Sequence, residues 1–422
     1  MRRSEEIFHG IDYFTVIIYL LLVLFGWLNI YAAVYDADSA TSLFDLSTNA
    51  GKQALFIGVS IIIIILIMAV DLQIFETLSF IFYGLAILLL IAVLFLARDI
   101  NGAKSWLEVG GMRFQPSEFA KLGTALVIAK YVSKPEFKIQ KFRDLAIAII
   151  LFMIPVTLII IQKDMGTAIV FFSFLIVLYR EGMTPVPLVI GFLLIVIFTT
   201  TILVDNLSLM IGIGFVTVVA VLYFRKSLKK ILISLLVGGL MLLVVYSVDW
   251  LLNEVLSRHQ KDRIELVFNP NSDPLGKGWN ITQSKIAIGS GGFMGKGYLK
   301  GTQTKFDFVP EQSTDFIFCT IGEEHGFIGS IFVISVFVFL ILRIIALAER
   351  QKFRFARIYG YSVASIFLVH FMINIGMTMG LLPVIGIPLP FFSYGGSSLL
   401  SFTILLFIFL KMDAHRNQVL DR

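Results

Sequence analysis

The sequence predicts an all-α polytopic integral membrane protein of about twelve transmembrane helices, with both termini cytoplasmic and one large extracytoplasmic loop. Composition is the first reason. Of 422 residues, 58% are hydrophobic and 15% charged, where about a quarter charged is usual in soluble proteins. One globular core cannot hide that much apolar surface, so lipid must be the solvent for most of it. The second reason is that apolar runs of bilayer-crossing length recur along the whole chain. The third is that basic residues gather in alternate loops.

Taken in order, the runs at 13–35, 54–70, 77–97, 143–161, 185–204, 230–250, 327–348 and 358–380 are long enough to cross as helices. Shorter or more polar candidates lie at 117–132, 165–180, 208–224 and 395–411. The first run follows Met1-Arg2-Arg3 and outlasts a signal-peptide core, so a retained signal anchor is expected. The basic loops are Lys130, Lys134, Lys138, Lys141 and Arg143; Arg225, Lys226, Lys229 and Lys230; and Arg350, Lys352, Arg354 and Arg357. The loop after the first span instead carries Asp36, Asp38 and Asp45 against Lys52. With twelve spans every strongly basic loop falls on one side with both termini, the cytoplasmic side by the positive-inside rule. Removing any one span breaks this agreement.

Two polar loops fall on the other side, 98–116 and the long segment 251–325, the only stretch able to build a site outside the membrane. The net charge of +5 is spread over short loops, which orients a membrane protein and gives no reason to expect a nucleic-acid partner. The single cysteine, Cys319, excludes an intramolecular disulfide and a cysteine-rich metal site. No repeat period and no internal duplication is visible.

Each motif has a bland use beside a chemical one. The segment Gly289-Ser-Gly-Gly-Phe-Met-Gly-Lys-Gly297 looks like a phosphate loop, but Ser290 and Gly297 stand where that pattern needs Gly and Ser or Thr. A glycine-rich turn at the membrane surface is its default, with backbone N–H groups that could approach an anionic headgroup. His325 follows Glu323 and Glu324, yet no second His lies three or four residues away, so no metal site is expected. His370 and Asn374 share a helical face, where interhelical hydrogen bonding is the commoner use. Glu118 and Lys121 also share a face and can neutralise each other, as a structural clamp or as the wall of a polar cavity. Asp164, beside Lys163, poses the same choice. Asp315 precedes the apolar run beginning at Phe316. It could be an N-cap, which spacing alone favours, or a general base facing a lipid-held substrate.

The run from Asn374 through Gly380-Leu-Leu-Pro-Val-Ile-Gly386-Ile-Pro-Leu-Pro-Phe-Phe-Ser393-Tyr-Gly-Gly-Ser-Ser398 resembles the signature of the SEDS family (shape, elongation, division and sporulation). Three further blocks agree in family order: Asn101-Gly-Ala-Lys-Ser-Trp106 leading to Gln115-Pro-Ser-Glu118, Lys163-Asp-Met-Gly-Thr167, and Pro310 through Thr314-Asp-Phe-Ile-Phe318 to Gly322-Glu-Glu324. Gly289-Ser-Gly-Gly, Gly295-Lys-Gly297, Gly301-Thr-Gln303 and Ile385 are similar to the RodA branch rather than the FtsW branch. The family has ten spans, so the resemblance makes 185–224 an inserted hairpin within a single domain, 1–422, whose active site lies in 251–325.

The resemblance implies a peptidoglycan glycosyltransferase of the bacterial cytoplasmic membrane that polymerises lipid II for cell elongation and rod shape. It also implies a class B penicillin-binding protein as transpeptidase partner, among other elongation-complex membrane proteins. Carried over residue by residue, Asp315 matches the family's essential aspartate and is the expected base. Polyprenyl pyrophosphate needs charge neutralisation on leaving more than it needs a proton, so one carboxylate plus cations suffices. Lys104, Arg113, Lys121 and Arg263 are the candidate cations, and Glu118 and Asp164 are expected to organise the cavity. Gln283, Ser284, Gln303, Ser393 and Ser397 complete the substrate-binding candidates. No resident metal is expected, though a divalent Mg or Mn ion could accompany the pyrophosphate. The alternatives are a lipid II flippase and a non-catalytic scaffold of the cell-wall machinery.

Overall fold

The computed structural model describes residues 10–35, 42–97, 104–109, 112–189, 191, 193, 200–201, 206–250, 278–304 and 308–416. The chain forms two compact units, one of Met1–Met183 with Gln283–Arg422 and one of Thr184–Thr282.

Helices begin where polar residues can cap them. In the first unit α1 (Tyr13–Val34) starts at Asp12, whose carboxylate accepts from Thr15 N, and α2 (Asn49–Ala69) starts at Thr48, whose hydroxyl accepts from Gly51 N. The Thr48 cap draws the start of α2 ahead of the apolar run expected from residue 54. A short α3 (Leu72–Thr77) leads into α4 (Ser79–Leu96). Then comes a departure from an all-helical chain. Leu107–Val109 (β1) and Met112–Phe114 (β2) pair antiparallel, with Glu108 opposite Arg113, in the polar loop expected at 98–116.

Helix α5 (Pro116–Val132) opens on a proline at its first position, which suits a fixed φ and a missing N–H. It is followed by α6 (Phe142–Ile161), α7 (Met165–Val170) and α8 (Ser173–Arg180). The expected span 165–180 is thus broken at Phe171-Phe172. In the second unit α9 (Asn206–Tyr223) and α10 (Leu228–Trp250) pack on each other across the basic turn 224–227. The rest is α11 (Trp279–Ser290), α12 (Ile317–Glu349), α13 (Arg354–Thr378) and α14 (Gly396–Ala414).

Among the described residues eight helices are long and apolar enough to cross a membrane: α1, α2, α4, α6, α10, α12, α13 and α14. The α7–α8 segment and Leu207–Tyr223 are apolar but shorter. Much of the expected span 185–204, and Arg263 with the rest of 251–277, lie outside the described residues. Burial separates lipid-facing helices from central ones. About four-fifths of the apolar window of α14 is buried (83%) and 72% of that of α13, against 22% for α2 and for α4. The polar residues of α13 and α14 are therefore sealed inside protein, where each must find a partner.

Candidate active site

The site is built from the charged start of α5, the buried face of α13, the loop 385–397 and the turn before α12. On α5, Glu118 and Lys121 are both buried, and Lys121 Nζ lies 2.9 Å from each carboxylate oxygen. Its remaining partner is His370 Nε2 on α13, at 2.7 Å. An ammonium only donates, so Nε2 accepts, and the proton on Nδ1 is donated to Pro388 O at 3.1 Å. This assigns a neutral imidazole between two fixed partners. Ser401 Oγ donates to Glu118 O at 2.7 Å, and the Phe402 ring lies 4.8 Å from Lys121 Nζ. Charge is thus cancelled locally in a water-poor interior, the condition under which a buried pair is tolerated.

One turn along α13, Asn374 Nδ2 donates to Asp315 O at 2.9 Å and to Ile387 O at 2.7 Å. It ties the turn before α12 to the loop after α13. Asp315 itself is partly exposed. Phe316 occupies the N-cap position of α12, and its own side chain makes no cap bond. Asp315 therefore stands one residue before the N-cap position rather than at it. Gly386 has φ +79°, and a Cβ there would lie 3.2 Å from Asp315 Oδ2. Glycine at 386 serves both the left-handed backbone and the close approach of the carboxylate.

The same loop reaches the β-hairpin. Tyr394 N donates to Ser313 O at 2.9 Å, and Asn49 Nδ2 donates to Ser313 Oγ at 3.0 Å. Ser397 Oγ accepts from Gln115 N at 3.1 Å and donates to Arg113 O at 3.5 Å. Gln115 Nε2 donates to Asp164 Oδ2 at 2.9 Å, while Asp164 caps α7 through Thr167 N and Oγ1. Burial pushes the Tyr394 phenol up, and the Arg113 charge opposes it, which puts Arg113 in electrical reach of the loop. Residues 394–397 thus bridge from Ser313, two before Asp315, to Arg113.

The sequence candidates divide accordingly. Arg113 is exposed and 3.6 Å from Glu108, and Lys104 is exposed, its N–H bonded to Gln162 O. Lys121, expected among the cations for pyrophosphate, has its three donors committed to Glu118 and His370, so here it is an internal counter-ion. Ser284 Oγ donates to Thr378 O, Ser393 Oγ accepts from Leu389 N, and Gln283 is buried. Gln303 takes part through its backbone N–H, which donates to Glu323 Oε1.

Glu323 has a larger part than its sequence neighbours hinted. Its buried carboxylate accepts from Lys296 Nζ, from the backbone N–H groups of Thr302, Gln303 and Thr304, and from the Thr302 and Thr304 hydroxyls. Gly326, with φ +64°, breaks the regular course of α12 where the glycine-rich loop crosses, and a Cβ there would lie 2.3 Å from Gly295 N. Gly291 and Gly295 of the glycine-rich segment therefore serve close backbone packing against 322–326. Among the described residues no group of three or more His, Cys, Asp or Glu could hold a metal ion.

Fold and site together define a multi-pass membrane protein whose surface loops are bonded onto a buried, internally neutralised charge network. The chain belongs to the SEDS family: the family model described as "Cell cycle protein", that of FtsW, RodA and SpoVE, matches residues 13–205 and 183–418. It is 31% identical over 430 residues to peptidoglycan glycosyltransferase RodA of Treponema pallidum, covering 96% of this chain and 98% of that one. It is 31% identical over 401 residues to peptidoglycan glycosyltransferase MrdB of Escherichia coli K12, covering 95% and 94%. A chain from a solved structure described as "Structural coordination of polymerization and crosslinking by a peptidoglycan synthase complex" aligns at TM-score 0.70 and 25% identity, covering 97% and 99%. Rod shape determining protein RodA of Thermus thermophilus has the same fold at TM-score 0.63 and 22% identity, covering 97% and 99%.

Proposed function

We propose that this protein polymerises lipid II into glycan strands, with Asp315 as the general base. The observation that carries the reading is the setting of Asp315. It is partly exposed on a turn fixed by Asn374, pressed close to Gly386, and linked through 394–397 to the exposed cation Arg113. The carboxylate takes the proton of the acceptor sugar's 4-hydroxyl as that oxygen attacks the donor's anomeric carbon. The bond to polyprenyl pyrophosphate breaks, and Arg113 and Lys104 offset the charge that develops on the leaving group. Arg263 is a further candidate for that task. Glu118, Lys121, His370 and Asp164 hold the loops in place, as do Ser284, Ser393 and Ser397. The names of the relatives and of the synthase complex support this reaction, and support a transpeptidase partner in the same membrane.

A flippase needs a polar route through the midplane. Glu118, Lys121 and His370 are instead buried and bonded to one another. Reconstituted protein given labelled lipid II, with and without a class B transpeptidase, is expected to build glycan ladders. Leaflet exchange without ladders would replace the polymerase by a transporter. We further propose that the pair 185–224 is an appendage to a catalytic body that includes 251–325. Deletion of 185–224 removes two crossings, preserves the side of every later loop and is expected to leave ladder formation measurable. Complete loss of activity in a deletion that still inserts and folds would make the pair part of that body.

A further inference from the structure

A second polar site lies far along the chain from Asp315, where the end of α8, the end of α12 and the start of α13 meet. A cleft of about 500 Å³ is lined there by Arg180, Glu181, Glu349, Arg354, Arg357 and Tyr361. Three guanidiniums face two carboxylates, which leaves one positive charge in excess. Arg180 bonds Glu349 at 2.5 Å, and Arg354 and Arg357 share the buried Glu181 at 3.2 and 3.1 Å. Each guanidinium carries about five N–H donors. The two carboxylates engage only four of the combined set.

The start of α13 adds to this. Its N-cap, Phe353, makes no side-chain cap bond, so the first backbone N–H groups of a 25-residue helix carry their partial positive charge toward the same end. A single excess charge with spare planar donors matches a singly charged phosphodiester, which arginine binds through paired N–H groups. Leu342 on α12, seven residues before Glu349, and Phe172, eight before Arg180, are exposed apolar side chains.

We propose that this cleft binds the phosphodiester headgroup of an anionic glycerophospholipid. Arg180, Arg354 and Arg357 hold the phosphate, and Glu349, half-exposed at the rim, sets the affinity by competing for Arg180. The inference does not depend on the polymerase reading. The test titrates delipidated full-length protein in neutral detergent with phosphatidylglycerol, phosphatidylcholine or inorganic phosphate, and takes the affinity from the midpoint of the rise in melting temperature. Phosphatidylglycerol is expected to bind more tightly than phosphatidylcholine. Arg180→Gln should weaken that binding about fivefold, the size typical of one basic residue at a membrane surface. Arg180→Lys should weaken it less, and Glu349→Gln should strengthen it by a similar factor.

The opposite signs for Arg180→Gln and Glu349→Gln separate a binding site from a structural ion-pair cluster, which either change would only loosen. Equal affinity for the two lipids, or weaker binding by Glu349→Gln, would overturn the proposal. Inorganic phosphate acting alone at the phosphatidylglycerol midpoint would assign the cleft to a free anion and overturn the lipid assignment.

Discussion

Lys121→Met is expected to destabilise the protein by about 3–5 kcal/mol, the usual result of removing one partner from a buried ion pair. Lys121 is 0% exposed, and its ammonium donates to both Glu118 oxygens and to His370 Nε2. Methionine fills a similar volume but leaves a buried carboxylate without a counter-charge and an imidazole nitrogen without a donor. The double variant Glu118→Gln with Lys121→Met removes both charges together and should recover a large part of the loss. Non-additivity of this kind is what a double-mutant cycle measures between contacting groups. The readout is thermal unfolding in detergent for wild type, both single variants and the double. A Lys121→Met protein as stable as wild type would mean that the pair is not buried as described.

Asp315→Asn is expected to lower polymerisation about 10²–10⁴-fold, the range for losing a general base. The amide keeps the shape of the carboxylate but cannot take a proton. Little stability should be lost, because the amide is nearly isosteric with the carboxylate and the Asn374 contact is made to the Asp315 backbone. Asp315→Glu keeps a base displaced by one methylene against Gly386, where space is already tight. Its rate should fall between wild type and Asp315→Asn. The check is the initial rate of lipid II consumption by the three proteins.

Several parts of this arrangement were legible in the sequence because they are local. Glu118 and Lys121 are three residues apart on one helical face, so their pairing follows from helix geometry alone. The apolar runs announced the long helices, and the ordered motif blocks announced the family. The third member of the charge network was not legible as such, since His370 reaches Lys121 across 249 residues of chain. Its face-sharing with Asn374 pointed only to some interhelical partner. Asn374 likewise reaches Asp315 across 59 residues, so its hold on that turn needed the folded loops.

The β-hairpin was missed for a different reason. Leu107-Glu-Val and Met112-Arg-Phe alternate apolar and polar residues around Gly110-Gly111, a recognisable hairpin pattern, but strands of three residues carry little signal beside apolar runs of bilayer length. Glu323 was obscured by its neighbours. Two adjacent carboxylates beside a histidine suggest a metal, whereas the actual partners are donors from 296–304 that arrive only when the glycine-rich loop folds back.

The most direct measurement compares wild type and Asp315→Asn in the same proteoliposomes with a transpeptidase partner supplied, following glycan ladders, lipid II binding and melting temperature together. Wild type should build ladders. Asp315→Asn should build none detectable, while binding lipid II and melting almost as wild type does, because the change removes proton acceptance and leaves the cations and loops in place. Ladders from Asp315→Asn at near wild-type yield would contradict the assignment of Asp315 as the base.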